Sequence, residues 1–366
     1  MRVVVVSRTY ADPGQRGKLR ALAGLGCTLA AAVPASWQAH PDDRKRDAAF
    51  GDDGGVRIYP VPVEGARWDR RSLTRLLSEF RPDLVQLEEE PWSPVASIIA
   101  RAAGRYGFRL VTFSAQSIAR PLPLLARFRR ARTVRAASAA IGANHIAATL
   151  LAGGRPELQQ AVIPQVGVLP PLTPRQDPQD PRAGFAIGFI GRLVPERGLD
   201  VLLRACVRLR GFWTLHVVGS GPSQEELEAL AERLGLAARV TWHGALTHAA
   251  LEPVWATLDC LVQPARTTPS WVEARGRTAL EAMAHGIPVI GSRSGALPEL
   301  LEGVGRVVPE DDVEALAAAL QAWLDDPAER RRLGVESRRR VLADFTDESL
   351  AARTVKFWRE VLVASA

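Results

Sequence analysis

The hydrophobic and polar positions of this chain fall into two successive series of short apolar runs alternating with helix-period segments. Val3–Ser7 reads as an apolar strand buried on both faces. A polar loop over Arg8–Gly17 carries Gly14, and Lys18–Leu25 has helical spacing. Val56–Val61, Asp83–Leu87, Arg109–Phe113 and Ala139–Gly142 predict further strands. Pro91 and Pro94 precede a predicted helix over Val95–Arg105, His145 opens another, and Val162–Val168 closes the series.

Leu169–Gly184 holds five prolines and few large apolar residues, as an interdomain linker would. The alternation then restarts. Strands are predicted at Ile187–Ile190, Thr214–Val218, Arg239–Trp242, Asp259–Gln263, Ile287–Gly291 and Gly305–Pro309. Helices are predicted over Leu199–Arg210, from Ser223, over Val313–Leu324 and Ala328–Leu342, and at the end over Thr346–Val363. Two βα series predict an α/β protein of two Rossmann-like, doubly wound domains, with a cleft facing the carboxyl ends of both sheets. The expected division is 1–168, a linker over 169–184, 185–345, and a terminal helix over 346–366.

The sharpest chemistry lies between Ser270 and Ile290. Glu273 stands just before a helix-like run and Glu281 eight residues later, inside it; Gly276 lies near the helix start, and Gly286 and Pro288 mark the exit. On one helix that spacing spans about 800° of rotation and roughly 12 Å of rise. The two carboxylates therefore cannot form the roughly 5–5.5 Å dyad of a retaining hydrolase. They suit two contacts along one extended ligand, with amides of Gly276, Arg277, Thr278 and Ala279 facing an anion between them. An amphipathic helix with a solvated Glu at each end fits the same spacing.

Other candidates are scattered. Arg192 and Arg197 stand five residues apart on a strand–helix turn, which suits a diphosphate. Gly219-Ser220-Gly221 offers a close backbone turn but lacks the third glycine of a dinucleotide fingerprint. The loop at Gly14 reads either as a phosphate seat or as a plain βα turn. Glu88, Glu89 and Glu90 follow a strand at its carboxyl end and read as a solvated edge before they read as a base.

The block Glu273-x7-Glu281, ending in Glu281-Ala282-Met283-Ala284-His285-Gly286-Ile287-Pro288-Val289, resembles the signature of retaining, nucleotide-sugar-dependent glycosyltransferases of family 4. Gly191-Arg192-Leu193 with Arg197-Gly198 is similar to that family's Gly-Arg-Leu-x-x-x-Lys-Gly, Arg replacing Lys. The resemblance runs from Ile187 to Phe345 and is closest to a bacterial polysaccharide-type branch. It implies the GT-B fold, with a terminal helix crossing back onto the first domain. It also implies transfer from a UDP- or GDP-sugar to a glycan, lipid-linked or small-molecule acceptor, with no metal and no other cofactor. Arg192 and Arg197 would hold the donor diphosphate, and Glu273 the sugar. Glu281, Gly276–Leu280 (Arg277, Thr278 and Ala279 between), Gly219 and Leu246 would bind the rest of the donor. Relatives commonly carry a His after the strand that ends here at Ser114; Ser114 and Gln116 are the polar substitutes. Arg275 stands where relatives carry Phe. A nucleotide-sugar epimerase on the same fold and a non-catalytic sugar-nucleotide binder are the alternatives.

Composition narrows partners. Forty-seven basic against 40 acidic residues leave a net charge of +7, which favours anionic partners; no RNA-binding motif supports nucleic acid. Arg120–Arg135 carries six Arg, no acid, and Leu122, Leu124, Leu125 and Phe128. It reads as a solvated helix whose Leu face packs inward, or as a segment lying on anionic lipid. Three scattered Cys and no His-Glu-x-x-His or Asp-x-Asp pattern predict neither a disulfide framework nor a metal site. The N-terminus is too short for a signal-peptide core, and no run reaches the roughly 18–20 apolar residues of a membrane span. A reducing cytoplasmic setting, with a peripheral place on the inner membrane face, is the corresponding expectation.

Overall fold

Val3–Val6 are at most 1% exposed, and their alternation sends Val3 and Val5 into one apolar core and Val4 and Val6 into another. A strand buried on both faces requires helices on both sides. The computed structural model has this arrangement twice; it describes residues 1–38, 46–153, 155–171 and 184–364. The chain divides into unit 1, Met1–Gly167 with Thr346–Ala366, and unit 2, Val168–Phe345. The segment 169–184, expected as a linker, lies mostly outside the described residues.

In unit 1 the strands are β1 (Arg2–Val6), β2 (Thr28–Pro34), β3 (Gly51–Asp52), β4 (Val56–Val61), β5 (Leu84–Leu87), β6 (Arg109–Ser114), β7 (Ala139–Gly142) and β8 (Gln159–Val162). Their order is β8-β7-β6-β5-β1-β2-β4-β3, parallel except for β3. The helices are α1 (Gly17–Gly24), α2 (Arg70–Phe80), α3 (Pro94–Tyr106), α4 (Leu124–Ala136) and α5 (His145–Ala152). Ser93 and Asn144 cap α3 and α5, each accepting an amide of the first turn.

Unit 2 has β9 (Phe185–Ile190), β10 (Trp213–Val218), β11 (Val240–Gly244), β12 (Cys260–Gln263), β13 (Val289–Ser292) and β14 (Arg306–Val308). They form a parallel sheet in the order β11-β10-β9-β12-β13-β14. Its helices are α6 (Leu199–Cys206), α7 (Gln224–Arg233), α8 (His248–Thr257), α9 (Arg277–Ala284), α10 (Leu297–Leu301), α11 (Val313–Asp325) and α12 (Pro327–Asp344). In both sheets the order reverses beside the first strand, between β1 and β5 and between β9 and β12. Such reversal points are where open α/β sheets bind ligands.

The terminal helix α13 (Asp347–Val363) packs against α1 within unit 1. Trp358 is fully buried and its indole N–H donates to Gln86 Oε1 at 2.7 Å; Asp347 accepts from the Gly167 amide at 3.0 Å.

Several elements were not anticipated, among them β2, α2 and α8. β2 is rich in small Ala, which carries little strand propensity; pairing with β1 and β4 on its two sides holds it. α2 buries Leu73, Leu76, Leu77 and Phe80 in a helical stripe among charged residues, and α8 forms despite Pro253. Expected bounds also shift. The stretch expected over Val162–Val168 forms its strand earlier, as β8. The helix predicted to Arg210 ends at Cys206, where Arg208 and Leu209 donate to carbonyls only three residues back. His243 and Gly244, expected in a loop, finish β11 at a register shift against β10.

Candidate functional site

Residues from the turns after β9 and β12 converge at the reversal point of unit 2. After β9 the chain makes a short 3-10 turn over Pro195–Arg197 before α6. The Gly191 amide donates to Val218 O at 3.0 Å and the Leu193 amide to Ser220 O at 2.9 Å, so the turns after β9 and β10 are bonded together. Gly219 makes their approach possible: its φ is +133°, and a Cβ there would lie 1.9 Å from the Gly191 carbonyl oxygen.

Arg197 donates to the Glu273 carboxylate, and its guanidinium lies 5.1 Å from the centre of the Trp271 ring. Glu273 is 7% exposed, and its other carboxylate oxygen accepts the Gly276 amide at 3.0 Å. That bond corrects one expectation: the Gly276 amide is not available to an anion. Gly276 caps α9 at φ +57°, and a Cβ there would meet Leu300 Cδ1 at 2.2 Å. The helix proper starts at Arg277, so Glu273 stands outside it and Glu281 inside. Helix geometry leaves the amides of Arg277, Thr278 and Ala279 without intrahelical acceptors. Ala279 and Leu280 have their side chains in the core, which leaves them only backbone to offer a ligand. Glu281 accepts from Arg277 Nε at 2.9 Å. Arg192 is exposed and pairs with no acid among the described residues, and Leu246 is half-buried against the core around α8 and α9.

Residues 175–340 match the family of glycosyl transferases group 1. The matched residues fall within unit 2. A similar curated protein is the GDP-mannose-dependent α-(1-6)-phosphatidylinositol monomannoside mannosyltransferase of Mycolicibacterium smegmatis, 36% identical over 45% of this chain and 45% of its own length. The MMP α-(1→4)-mannosyltransferase of Mycolicibacterium hassiacum is 35% identical over 46% of this chain and 41% of its own. The chain thus spans less than half the length of these relatives. Among solved structures, sucrose-phosphate synthase from Thermosynechococcus elongatus superposes over 100% of both chains with a TM-score of 0.75 at 20% identity. Anabaena HepE, in complex with UDP and glucose, superposes over 98% of this chain and 100% of its own with a TM-score of 0.68 at 18% identity. The fold is GT-B.

Arg266 was missed in the group 1 unit. It follows β12 and holds the Pro195–Arg197 turn in place. Its amide donates to Glu196 O at 2.8 Å and its Nη1 to Pro195 O at 2.8 Å. Its remaining donors reach Asp200 Oδ2 at 2.8 Å and Asp311. Burial alone would raise the Asp200 carboxyl, but Arg266 and Arg204 outweigh it and hold the group below its usual range. No local pattern marks Arg266, because its partners lie 66 and 45 residues away.

Unit 1 arranges its candidates differently. Glu88 is not a solvated edge: it is 6% exposed and accepts from Gln86 Nε2 at 2.5 Å and Gln165 Nε2 at 3.0 Å. Glu89 accepts the Arg8 amide at 2.8 Å and Arg8 Nε at 3.2 Å; burial nevertheless pushes its carboxyl above the ordinary value. Glu90 accepts from Ser114 Oγ at 2.6 Å, and Gln116 donates its side-chain amide to Ile118 O at 2.7 Å. Ser114 and Gln116 are thus engaged within the unit. Lys18, 1% exposed, donates to Pro164 O at 3.1 Å, and burial lowers its pKa. The sequence reading missed Arg8, Lys18 and Gln165. The Gly14 amide donates to Asp12 Oδ1 at 2.9 Å, so the first loop caps itself.

The Arg120–Arg135 segment departs from its inward-packing reading. α4 buries only Thr133 and Val134, while Leu124, Leu125 and Phe128 are 81%, 61% and 64% exposed. No described helix is long and apolar enough to cross a membrane.

Proposed function

We propose that this chain is a retaining, metal-independent family 4 glycosyltransferase. It takes a sugar from a UDP- or GDP-sugar and passes it to a glycan, lipid-linked or small-molecule acceptor in cell-surface glycoconjugate synthesis. The observation carrying this reading is the pair of Arg197 and Glu273 at the reversal point of the group 1 unit, with exposed Arg192 on the same turn. The names of the mannosyltransferase relatives and the UDP in the HepE complex add weight to a nucleotide-sugar donor.

The reaction breaks the bond between the anomeric carbon and the donor phosphate and forms a new bond on the same face to an acceptor hydroxyl oxygen. The acceptor proton passes to the leaving phosphate. Negative charge grows on the nucleoside diphosphate, and Arg192, Arg197 and the first-turn amides of α9 are fixed donors for it. Glu273, already oriented by Arg197 and the Gly276 amide, holds sugar hydroxyls. Glu281 accepts from the ribose, Leu246 rests against the base, and the turn at Gly219 lets backbone approach the donor. Unit 1 supplies the acceptor side.

The test is a thermal-shift panel of GDP, UDP, ADP and their common sugars, with and without EDTA, on wild type and Glu281→Ala. A ligand above its dissociation constant raises the melting temperature by mass action. One base stabilising wild type but not the variant, unaffected by EDTA, is the expected result. No response to any nucleotide overturns the donor site.

A further inference from the structure

Unit 1 contains a groove lined by none of the residues assigned to the transfer reaction. It lies between α3 and α4, is closed at one side by the short antiparallel pair Val63–Glu64 with Arg67–Trp68, and encloses about 370 Å³. Four arginines line it: Arg67, Arg101, Arg129 and Arg132. Ile98, Leu125 and Phe128 supply an apolar wall. Positions 98 and 101 on α3, and 125, 128, 129 and 132 on α4, recur at helical spacing, so one face of each helix lines the groove.

The charge in the groove is uncompensated. No acidic side chain lines it, and none of its four arginines pairs with an acid among the described residues. Several guanidinium groups around one cavity suit the oxygens of a phosphate. The neighbouring surface is apolar where a soluble face would be polar: Leu124, Leu125 and Phe128 stand out within five residues of one helix. α4 is nevertheless anchored from behind. Arg130 donates to Leu150 O, and Arg155 Nη1 donates to Val134 O and Ala137 O at 3.0 Å each. The exposed face is thus presented on a fixed helix. Large apolar side chains flanked by arginines match a bilayer surface, where acyl chains lie beneath anionic headgroups.

We propose that the groove between α3 and α4 seats the phosphate of an anionic phospholipid headgroup while Leu124, Leu125 and Phe128 enter the acyl layer. The proposal rests on unit 1 alone and stands whether or not the donor site in unit 2 is assigned correctly.

The experiment is co-sedimentation of the full chain with phosphatidylcholine vesicles, with and without phosphatidylglycerol, at low and high salt. Wild type is expected to bind only the phosphatidylglycerol vesicles and to release in high salt. Arg101→Glu with Arg132→Glu lowers the bound-to-free ratio by about tenfold or more, since each basic residue near such a surface contributes about 1 kcal/mol. Leu125→Ser with Phe128→Ser, which leaves the charge intact, lowers it by about tenfold as well. All four side chains lie on the surface, and an unchanged melting curve and nucleotide response show that each variant is folded. Equal binding to both vesicle types, or wild-type binding by the charge-reversed variant, overturns the proposal. So does stabilisation by glycerol 3-phosphate without vesicle binding, which identifies a soluble phosphate site.

Discussion

The reversal points of the two sheets have the same topology and opposite electrostatics. In unit 2 the turn after β9 contributes Arg192 and Arg197, and the segment after β12 contributes one carboxylate, Glu273, which already holds Arg197. Arg192 is left exposed, so the place has cationic capacity in reserve. In unit 1 the turn after β1 contributes Arg8, and the segment after β5 contributes Glu88, Glu89 and Glu90. Arg8 meets Glu89, Ser114 meets Glu90, and two glutamines meet Glu88. Strand order decides where ligands dock, and loop sequence decides the sign of what docks there. On the proposed function, the first place takes the anionic leaving group.

The largest effect should come from removing the paired cation. Arg197→Ala is expected to lower transfer by about 10²–10³-fold, the range for loss of one fixed donor to developing charge, read as nucleoside diphosphate release. Arg8→Ala, its counterpart in unit 1, should leave stabilisation by nucleotide unchanged. Equal loss of nucleotide response in both variants would erase the contrast.

Glycines sharpen it next. Gly219→Ala forces a Cβ against the Gly191 carbonyl at a strained φ and should cost about 1–3 kcal/mol, seen as a lower melting temperature. At Gly14 the nearest atom to an added Cβ is Asp12 Oδ1 at 3.3 Å, and Gly14→Ala should stay within about 0.5 kcal/mol of wild type. A comparable cost, about 1–3 kcal/mol, is expected for Trp358→Phe, which leaves the buried Gln86 carbonyl oxygen without its donor. Limited proteolysis should then cut unit 1 before unit 2.

The smallest effects are in pH dependence, and they run in opposite directions. Burial raises the Glu89 carboxyl, so its contribution to stability is present below the usual value of 4.5 and fades as pH rises through the folded-state pKa. His216 is lowered by burial and by His243, whose Nε2 lies 3.1 Å from His216 Nδ1. Its contribution is present above 6.5 and fades as pH falls through the folded-state pKa. Urea midpoints measured across pH should flatten on the alkaline side in Glu89→Gln and on the acidic side in His216→Gln. A wild-type profile in either variant removes that group from the account.

Much of the fold was legible because patterning is local. The valines of β1, the strand–turn–helix at Gly191–Gly198 and the exit at Gly286 and Pro288 each declare themselves within a few residues. The group 1 family could be read from the same blocks. Alanine-rich β2 was not legible, since its strand character comes from neighbours on both sides. Neither was Glu88, whose burial depends on Gln165, 77 residues away. The leucines of α4 left two readings open, a face packed inward or one lying on lipid, and in the fold Leu124 and Leu125 are exposed.

Dihedral preference and the period of apolar side chains act over one or two turns, and they were enough to predict two α/β units and most of their strands and helices, though not β2, α2 or α8. Pairing across the fold acts over tens of residues. Arg197 and Glu273 are 76 apart, and Trp358 and Gln86 are 272 apart. Whether a charge is free, paired or buried therefore depended on which loops chain closure brought together. The tertiary structure joined Arg197 to Glu273 and took the Gly276 amide out of use. It also buried Glu88 and left the arginines of α3 and α4 facing one groove with no acid among the described residues.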